Sequence, residues 1–309
     1  MPGRIRSVSL PAMRVFVTGA SGFVGRRLVP RLLDAGHTVR GTDRELDVTR
    51  PEALASALAD WPPDAVIHLA ALSSVAVSWR EPELCYRINF LGARHLLEAV
   101  RGHCPRARVL LIGSADQYAA TRPRARPFDE SMPLRPRSPY ARAKAAAELL
   151  GQRHAAEGLD VVRVRAFNHT GAGQSDDFVV SSFARQLAEI RRGEREPRMR
   201  VGNLDSVRDF LHVDDVIRAY LALLDPAVPA DVYNVASERA ASIRDVLEGL
   251  ASIAGITPEV EVDPERWRET DWLVGDASRL RHATRWQPRV ALETILQELF
   301  DHWLSQAAS

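Results

Sequence analysis

Three spaced glycines behind an apolar strand constrain this chain more than any other feature in it. Residues 13–25 read MRVFVTGASGFVG, and the glycines are Gly19, Gly22 and Gly25. The amphipathic stretch FVGRRLVPRLLDAG continues from them. A strand that passes through such a turn into a helix opens a βαβ unit. The first glycine permits the tight turn, the second lets the backbone approach a pyrophosphate, and the third lets the helix pack closely on the strand. The helix N-terminus then offers unpaired N–H groups and the positive end of its dipole to phosphates. Ser21 and Phe23 lie inside the turn and are candidate cofactor contacts with the glycines.

The next segments extend this unit into a parallel sheet. HTVRGTD ends at Asp43, 18 residues after Gly25. A carboxylate there accepts hydrogen bonds from an adenosine ribose and repels a 2′-phosphate, which favours NAD. Arg44 beside it would hold that phosphate or stack on adenine, so NADP stays open. LDV, residues 46–48, offers Asp47 and Val48 to adenine; the other reading of Asp47 is a cap before TRPEALASAL. AVIHLAA, residues 65–71, is another short apolar strand, with Leu69, Ala70 and Ala71 leaving it towards the cofactor. Ser73 and Ser74 follow in a loop at its carboxyl end, where ligands collect in open α/β sheets. Asn89, polar among apolar neighbours in RINFLGARHLLEAV, either holds backbone or water behind the site or is a plain buried Asn. ARVLLIGSADQY (107–118) and DVVRVRAF (160–167) add two more strands. The expected class is α/β: a Rossmann-type doubly wound parallel sheet over residues 13–167, preceded by a loose extension, residues 1–12. Strand and helix alternate less regularly from Asn168, so residues 168–309 are expected to form a smaller α+β substrate domain, partly interleaved with the first.

One side chain stands out chemically. Lys144 is the only lysine among 41 basic residues. Arginine is planar, larger and permanently charged, whereas lysine is a compact charge with a tunable pKa. Tyr140 lies four residues earlier in SPYARAKAAAE, and the following run is rich in good helix formers. The two side chains are therefore expected on one helix face. An ammonium there would lower the phenol's pKa and make Tyr140 a proton donor and acceptor for a carbonyl/alcohol pair. Ser114, at a strand exit, is placed to hydrogen-bond the same substrate oxygen, and Asp116 is an additional candidate acid or base. The proline-punctuated, Arg-rich residues 121–139 are too long for a plain connection and are expected to rim the substrate pocket.

Charge removes some function classes. With 41 basic and 40 acidic residues the net charge is +1, which gives no case for nucleic acid or an anionic membrane. Cys85 and Cys104 have no metal-ligand spacing and are expected as free thiols in a reducing cytoplasm; no metal is expected. No apolar run reaches the roughly 18 residues of a membrane span, and no signal peptide follows Arg4 and Arg6.

In the second half, NHTGAGQSDDFV (168–179) offers Asn168, Gln174, Phe178 and Val179 to a ligand. VGNLDSVRDFLHVDD (201–215) adds Val201, Asn203 and Arg208, and ERWRETD adds Arg266 and Arg268. Arginines in a substrate domain suit a diphosphate. DVLEGLASIAG and LETILQELFDHWL are amphipathic helices that close the smaller domain.

Taken together, TGASGFVG, HLAA, GSADQY, SPYARAK, RDFLHVDD and the late WQP resemble the extended short-chain dehydrogenase/reductase (NAD-dependent epimerase/dehydratase) family, over almost the whole chain. FNHTGAGQS and VGNLDSVRDF are similar to its subgroup of GDP-4-keto-6-deoxymannose reductases and GDP-mannose 4,6-dehydratases. The resemblance implies Ser114, Tyr140 and Lys144 as catalytic residues. It implies Gly19, Gly22, Gly25 and Asp43 around an NAD(P), and Asn168, Arg208 and Arg266 on the nucleotide diphosphate. It also implies a homodimer built through two helices per subunit, one of them carrying Tyr140. The expected reaction is reduction of the 4-keto group of a GDP-linked 6-deoxyhexose. A 4-epimerase using bound NAD is the alternative. A 4,6-dehydratase is disfavoured by Ala115 and by the short Asp116. A dinucleotide sensor without turnover would have no use for the Tyr–Lys pair. Trp267 departs from the family's usual proline, and Asp43 from the NADP preference of the dehydratases.

Overall fold

The computed structural model describes residues 11–118, 126–264, 267, 269 and 271–306. Among these, the strands are β1 (Arg14–Thr18), β2 (Thr38–Thr42), β3 (Ala65–His68), β4 (Arg108–Ser114), β5 (Val161–Ala166), β6 (Asn168–Thr170), β7 (Arg198–Val201), β8 (Val207–His212), β9 (Val232–Val235), β10 (Ala240–Ser242), β11 (Glu259–Val262) and β12 (Trp272–Leu273). Six of them form one sheet in the order β2-β1-β3-β4-β5-β9, parallel throughout. β1 has β2 on one side and β3 on the other, so the winding reverses there. The crevice beyond the carboxyl ends of β1 and β3 is the site such a sheet offers a ligand.

β1, β3 and the middle of β4 read as apolar runs because both faces are covered there. Alternate residues serve opposite faces. Val15, Val17, Ile67 and Leu110 pack with Leu28 and Leu32 of the helix Gly25–Asp34. Phe16, Val66 and Val109 pack with Leu54 and Leu58 of the helix Pro51–Asp60 and with Leu96 and Val100 of the helix Gly92–His103.

A second core sits in the later half. Phe183 and Leu187 of the helix Val179–Arg191, Val246 and Leu250 of Ile243–Ala254, and Ile295 and Leu299 of Leu292–Ser305 pack together. The small sheet runs β10-β8-β12, with β6 also paired to β8, and β7 pairs with β11. The chain beyond Asn168 also returns to the first layer. β9 extends the main sheet beside β5, and the helix Val213–Leu223 covers it with Val216, Ile217 and Tyr220.

The two layers are joined at one short loop. Arg27 donates to the Ala172 carbonyl at 2.7 Å, and the Ala172 N–H donates to Glu298 Oε1 at 3.0 Å. Arg26 donates to the Gly173 carbonyl, and Glu298 Oε2 lies 2.7 Å from His212 Nε2. One residue is thereby gripped at both its backbone polar atoms, from the first helix and from the last.

Gly19 has φ +70°, and a Cβ there would lie 2.7 Å from the Ala70 nitrogen. Gly36 has φ +85° with open space around it. Gly19→Ala is therefore expected to cost more than Gly36→Ala, adding about 1–3 kcal/mol of overpacking to the strain the two share. Urea unfolding midpoints of the two variants check this; equal midpoints would show that β3 does not crowd the turn.

Candidate active site

Two elements build the reactive centre: the end of β4 and the helix Pro139–Ala156. Ser138 caps that helix by accepting from the Ala141 N–H at 3.1 Å, and Pro139 occupies its first position. Tyr140 and Lys144 then fall on one face, one turn apart. Lys144 Nζ donates to the Ile112 carbonyl at 2.8 Å, and the Ser114 side chain lies near enough to the Tyr140 hydroxyl to favour its ionised form. Ser114 Oγ also accepts from the Asp116 N–H at 3.2 Å.

Burial sets the protonation states here. It pushes the Tyr140 phenol above its ordinary value, Asp116 pushes it further, and the Ser114 side chain pulls the other way. The lowered phenol expected from Lys144 is thus reversed, because desolvation outweighs a charge that is itself turned to the Ile112 carbonyl. Burial brings Lys144 down to about 8. Asp116 is raised, first by burial and then by Asp271, against the pull of Arg208.

The cofactor end lies around the glycine turn. Thr18 Oγ1 accepts from the Ala70 N–H at 3.2 Å, and the Leu69 N–H donates to the Thr18 carbonyl at 3.2 Å, so β1 and β3 are stitched together beneath Gly19. Asp43 leaves β2 beside the turn. It accepts from the Ser21 N–H at 2.9 Å and from the Ser21 hydroxyl, which holds it below the usual carboxylate range. Gly22 is exposed, and no acidic residue occupies the first turn of the helix behind it. An exposed glycine turn that runs into a helix N-terminus, beside an acceptor-only carboxylate, fits a dinucleotide, with pyrophosphate on the turn and ribose hydroxyls on Asp43.

Asp47 accepts through Oδ1 from the Thr49 N–H at 2.9 Å and from its hydroxyl at 2.8 Å, and the residue stays exposed. One expected adenine contact is corrected. The Val48 side chain is buried in the core against the helix Gly92–His103, because apolar packing claims it. Ser74 caps the helix Val75–Arg80, accepting from the Val77 N–H at 3.2 Å, while Ser73 is exposed nearby. Asn89 accepts from the Leu72 N–H at 2.8 Å and donates to the Leu72 carbonyl at 3.0 Å, which fixes the loop from Ala71 to Ser74.

At the substrate end, Arg208 on β8 donates to Asp271 at 2.5 Å, within the electrostatic reach of Asp116. Asn168 starts β6, and half-buried Phe178 and Val179 begin the helix Val179–Arg191. Asn203 Oδ1 accepts from the Asp205 N–H at 2.9 Å. Gln174 is a correction. Its Oε1 accepts from Thr170 at 2.6 Å and its Nε2 donates to the His169 carbonyl at 2.9 Å, so the loop itself uses both ends of the amide. Val201 is a second correction, since its side chain is fully buried in the small-domain core. Arg266 and Arg268 lie outside the described residues.

Sequence reasoning missed two sets of residues. Arg27, His212 and Glu298 meet only through long-range folding. Glu148 carried a local signal, lying one further turn along the stripe of Tyr140 and Lys144. Among the described residues no group of His, Cys, Asp or Glu would hold a metal ion, and no helix is long and apolar enough to cross a membrane.

Known proteins resemble this chain over almost its whole length. Residues 15–236 match the model of the NAD dependent epimerase/dehydratase family. The chain is 39% identical over 301 residues to a GDP-6-deoxy-D-mannose reductase of Pseudomonas aeruginosa, covering 95% of this chain and 98% of that one. The solved structure of RMD from Pseudomonas aeruginosa complexed with NADPH superposes with a TM-score of 0.87 at 38% identity, covering 95% and 99% of the two chains. A UDP-glucose 4-epimerase of Thermus thermophilus in complex with NAD gives 0.85 at 30% identity, covering 96% and 100%.

A lysine held at about 8 has a consequence for pH dependence. Its ammonium is present below that value and lost as pH rises through it. kcat/KM, which reports free-enzyme ionisations, is expected to fall above about pH 8 while Tyr140 stays protonated. Lys144→Met should lower activity and abolish that alkaline limb. A wild-type profile that stays level to pH 9.5 would contradict the assignment.

Proposed function

The chain belongs to the NAD dependent epimerase/dehydratase family, and we propose that within it the protein reduces the 4-keto group of a GDP-4-keto-6-deoxyhexose with NAD(P)H. The observation that carries the reading is Lys144 bonded to the Ile112 carbonyl, with Tyr140 one turn before it beside Ser114, at the carboxyl end of the sheet that holds the glycine turn. The reduced nicotinamide, when bound, supplies the hydride. Tyr140 gives its proton to the C4 oxygen, and burial keeps that proton in place beforehand. Ser114 hydrogen-bonds the same oxygen as charge develops on it. Lys144 offsets the charge left on the phenolate. Gly19, Gly22, Gly25 and Asp43 hold the dinucleotide. Asn168, Arg208 and Arg266 are the residues proposed to hold the nucleotide diphosphate. The GDP preference follows the relative named above.

The epimerase likeness supports a second reading, in which bound NAD takes the hydride and returns it to the other face of C4. A dehydratase is less well served, because Ala115 brings no acid or base to the β4 exit and Asp116 is short for that role.

The protein is further proposed to be a cytoplasmic homodimer. Leu84 and Tyr86 on the segment before Asn89, and Leu149 on the Tyr140 helix, are 38%, 47% and 60% exposed. The helices that carry them pack on one another, so these exposed apolar side chains lie on neighbouring elements. Both cysteines are buried free thiols, as a reducing compartment allows.

Mixing the protein with NADPH or NADH and GDP-4-keto-6-deoxymannose is expected to consume one nicotinamide per sugar, read at its absorbance. Tyr140→Phe should lower turnover by about 10²–10⁴-fold. Conversion of a sugar without net loss of NAD(P)H would establish the epimerase instead. In sedimentation the wild type should run as a dimer and Leu149→Arg as a monomer; a monomeric wild type would remove the dimer proposal.

A further inference from the structure

Behind Ser114 lies a chain of buried polar groups for which the roles assigned above have no use. The Ser114 N–H donates to Gln117 Oε1 at 2.8 Å, and Gln117 Nε2 donates to Glu148 Oε2 at 2.5 Å. Arg165 donates from Nη2 to Glu148 Oε1 at 2.5 Å and from Nε to Oε2 at 2.9 Å. Arg165 Nη1 also donates to the Tyr118 hydroxyl at 2.6 Å, which donates in turn to Asn234 Oδ1 at 2.8 Å. Gln117 is completely buried, and Glu148 and Arg165 are each 5% exposed.

The chemistry of the partners fixes how Gln117 must sit. A backbone N–H can only donate, and an ionised carboxylate can only accept. Gln117 must therefore turn its oxygen to Ser114 and its nitrogen to Glu148. Glu148 is unable to swing away, because the Arg165 fork holds both its oxygens. Gly113 has no Cβ, which leaves the space that the Gln117 amide fills. Tyr140, Lys144 and Glu148, at four-residue spacing on one helix, thus address one strand end. Tyr140 meets the Ser114 hydroxyl, Lys144 the Ile112 carbonyl, and Glu148, through Gln117, the Ser114 N–H.

We propose that Gln117 and Glu148 are positioning residues for the reaction, setting the backbone of Ser114 so that its hydroxyl and that of Tyr140 converge on one substrate oxygen. This rests on the reading of Ser114 and Tyr140 as the catalytic pair. A small rotation of Ser114 would separate the two hydroxyls, and misplacement of about 1 Å by a residue away from the chemistry costs on the order of 10²-fold in rate.

The test compares wild type, Gln117→Leu and Gln117→Glu. Each is measured for kcat and KM from pH 6 to 9.5, with the nucleotide sugar that wild type converts, and for thermal midpoint. Leu keeps the bulk and loses both hydrogen bonds. Its kcat should fall by about 10²-fold, with KM within about threefold and the pH profile unchanged in shape. Protonated Glu offers one O–H donor and one carbonyl acceptor, the same pair as the amide. Gln117→Glu should therefore be active on the acidic side and lose kcat as pH rises, through an ionisation that wild type lacks. Wild-type kcat in folded Gln117→Leu would overturn the proposal, and so would a Gln117→Glu profile that tracks wild type. Should Gln117→Leu fail to fold, the Gln117→Glu profile decides alone. A wild type inactive on every 4-keto and 4-hydroxy nucleotide sugar would instead sink the catalytic reading, and this proposal with it.

Discussion

The hold of one helix on one strand end governs the reactive centre. From Ile112 to Ser114, β4 has passed the end of β3 and pairs only with β5, and the face of the helix Pro139–Ala156 holds it as well. Lys144 satisfies a carbonyl there, and Tyr140 meets the Ser114 hydroxyl. The ion pair of Glu148 with Arg165 lies deeper, at side-chain exposures of 6% each. A buried ion pair of this kind adds little net stability, since desolvating two charges offsets their attraction. What it does supply is direction, because a bidentate fork admits very few arrangements.

The cofactor side depends on a different constraint, which is closeness. Gly19 turns the chain with a positive φ directly against Leu69 and Ala70. Thr18 bonds across the same gap to the backbone of β3. These contacts leave the outer face of the turn open at Gly22, and they bring Asp43 to Ser21. Cofactor turn and catalytic helix lie on the same carboxyl edge because every strand of the sheet runs in parallel. Arg27 and Glu298 then fasten the loop around Ala172 to the first helix, so the small domain is anchored a few residues beyond the glycine turn.

Much of this was legible in the residue order. The spacing of Gly19, Gly22 and Gly25, the apolar runs of β1, β3 and β4, and the four-residue step from Tyr140 to Lys144 are all local patterns, and local patterns report the backbone path. Asp43 falls beside the turn as its distance from Gly25 implies. Val48, Val201 and Gln174 read differently in space. Each lies within a motif that suggests a ligand, yet its side chain is claimed by core packing or by its own loop. A motif locates a backbone; which way a side chain turns is settled by neighbours that arrive from elsewhere in the chain.

The sequence by itself determined the parallel α/β class, the dinucleotide turn and the identity of the Tyr–Lys pair, because each is written in spacings of a few residues. Tertiary structure alone decided the protonation of that pair, since burial acts on Tyr140 and Lys144 more strongly than either acts on the other. It also decided the return of β9 and the helix Val213–Leu223 to the first layer. The grip on Ala172, and the Gln117–Glu148–Arg165 chain behind Ser114, likewise exist only in the folded molecule. These contacts join residues far apart in the chain, and desolvation has no value until the core around them has closed.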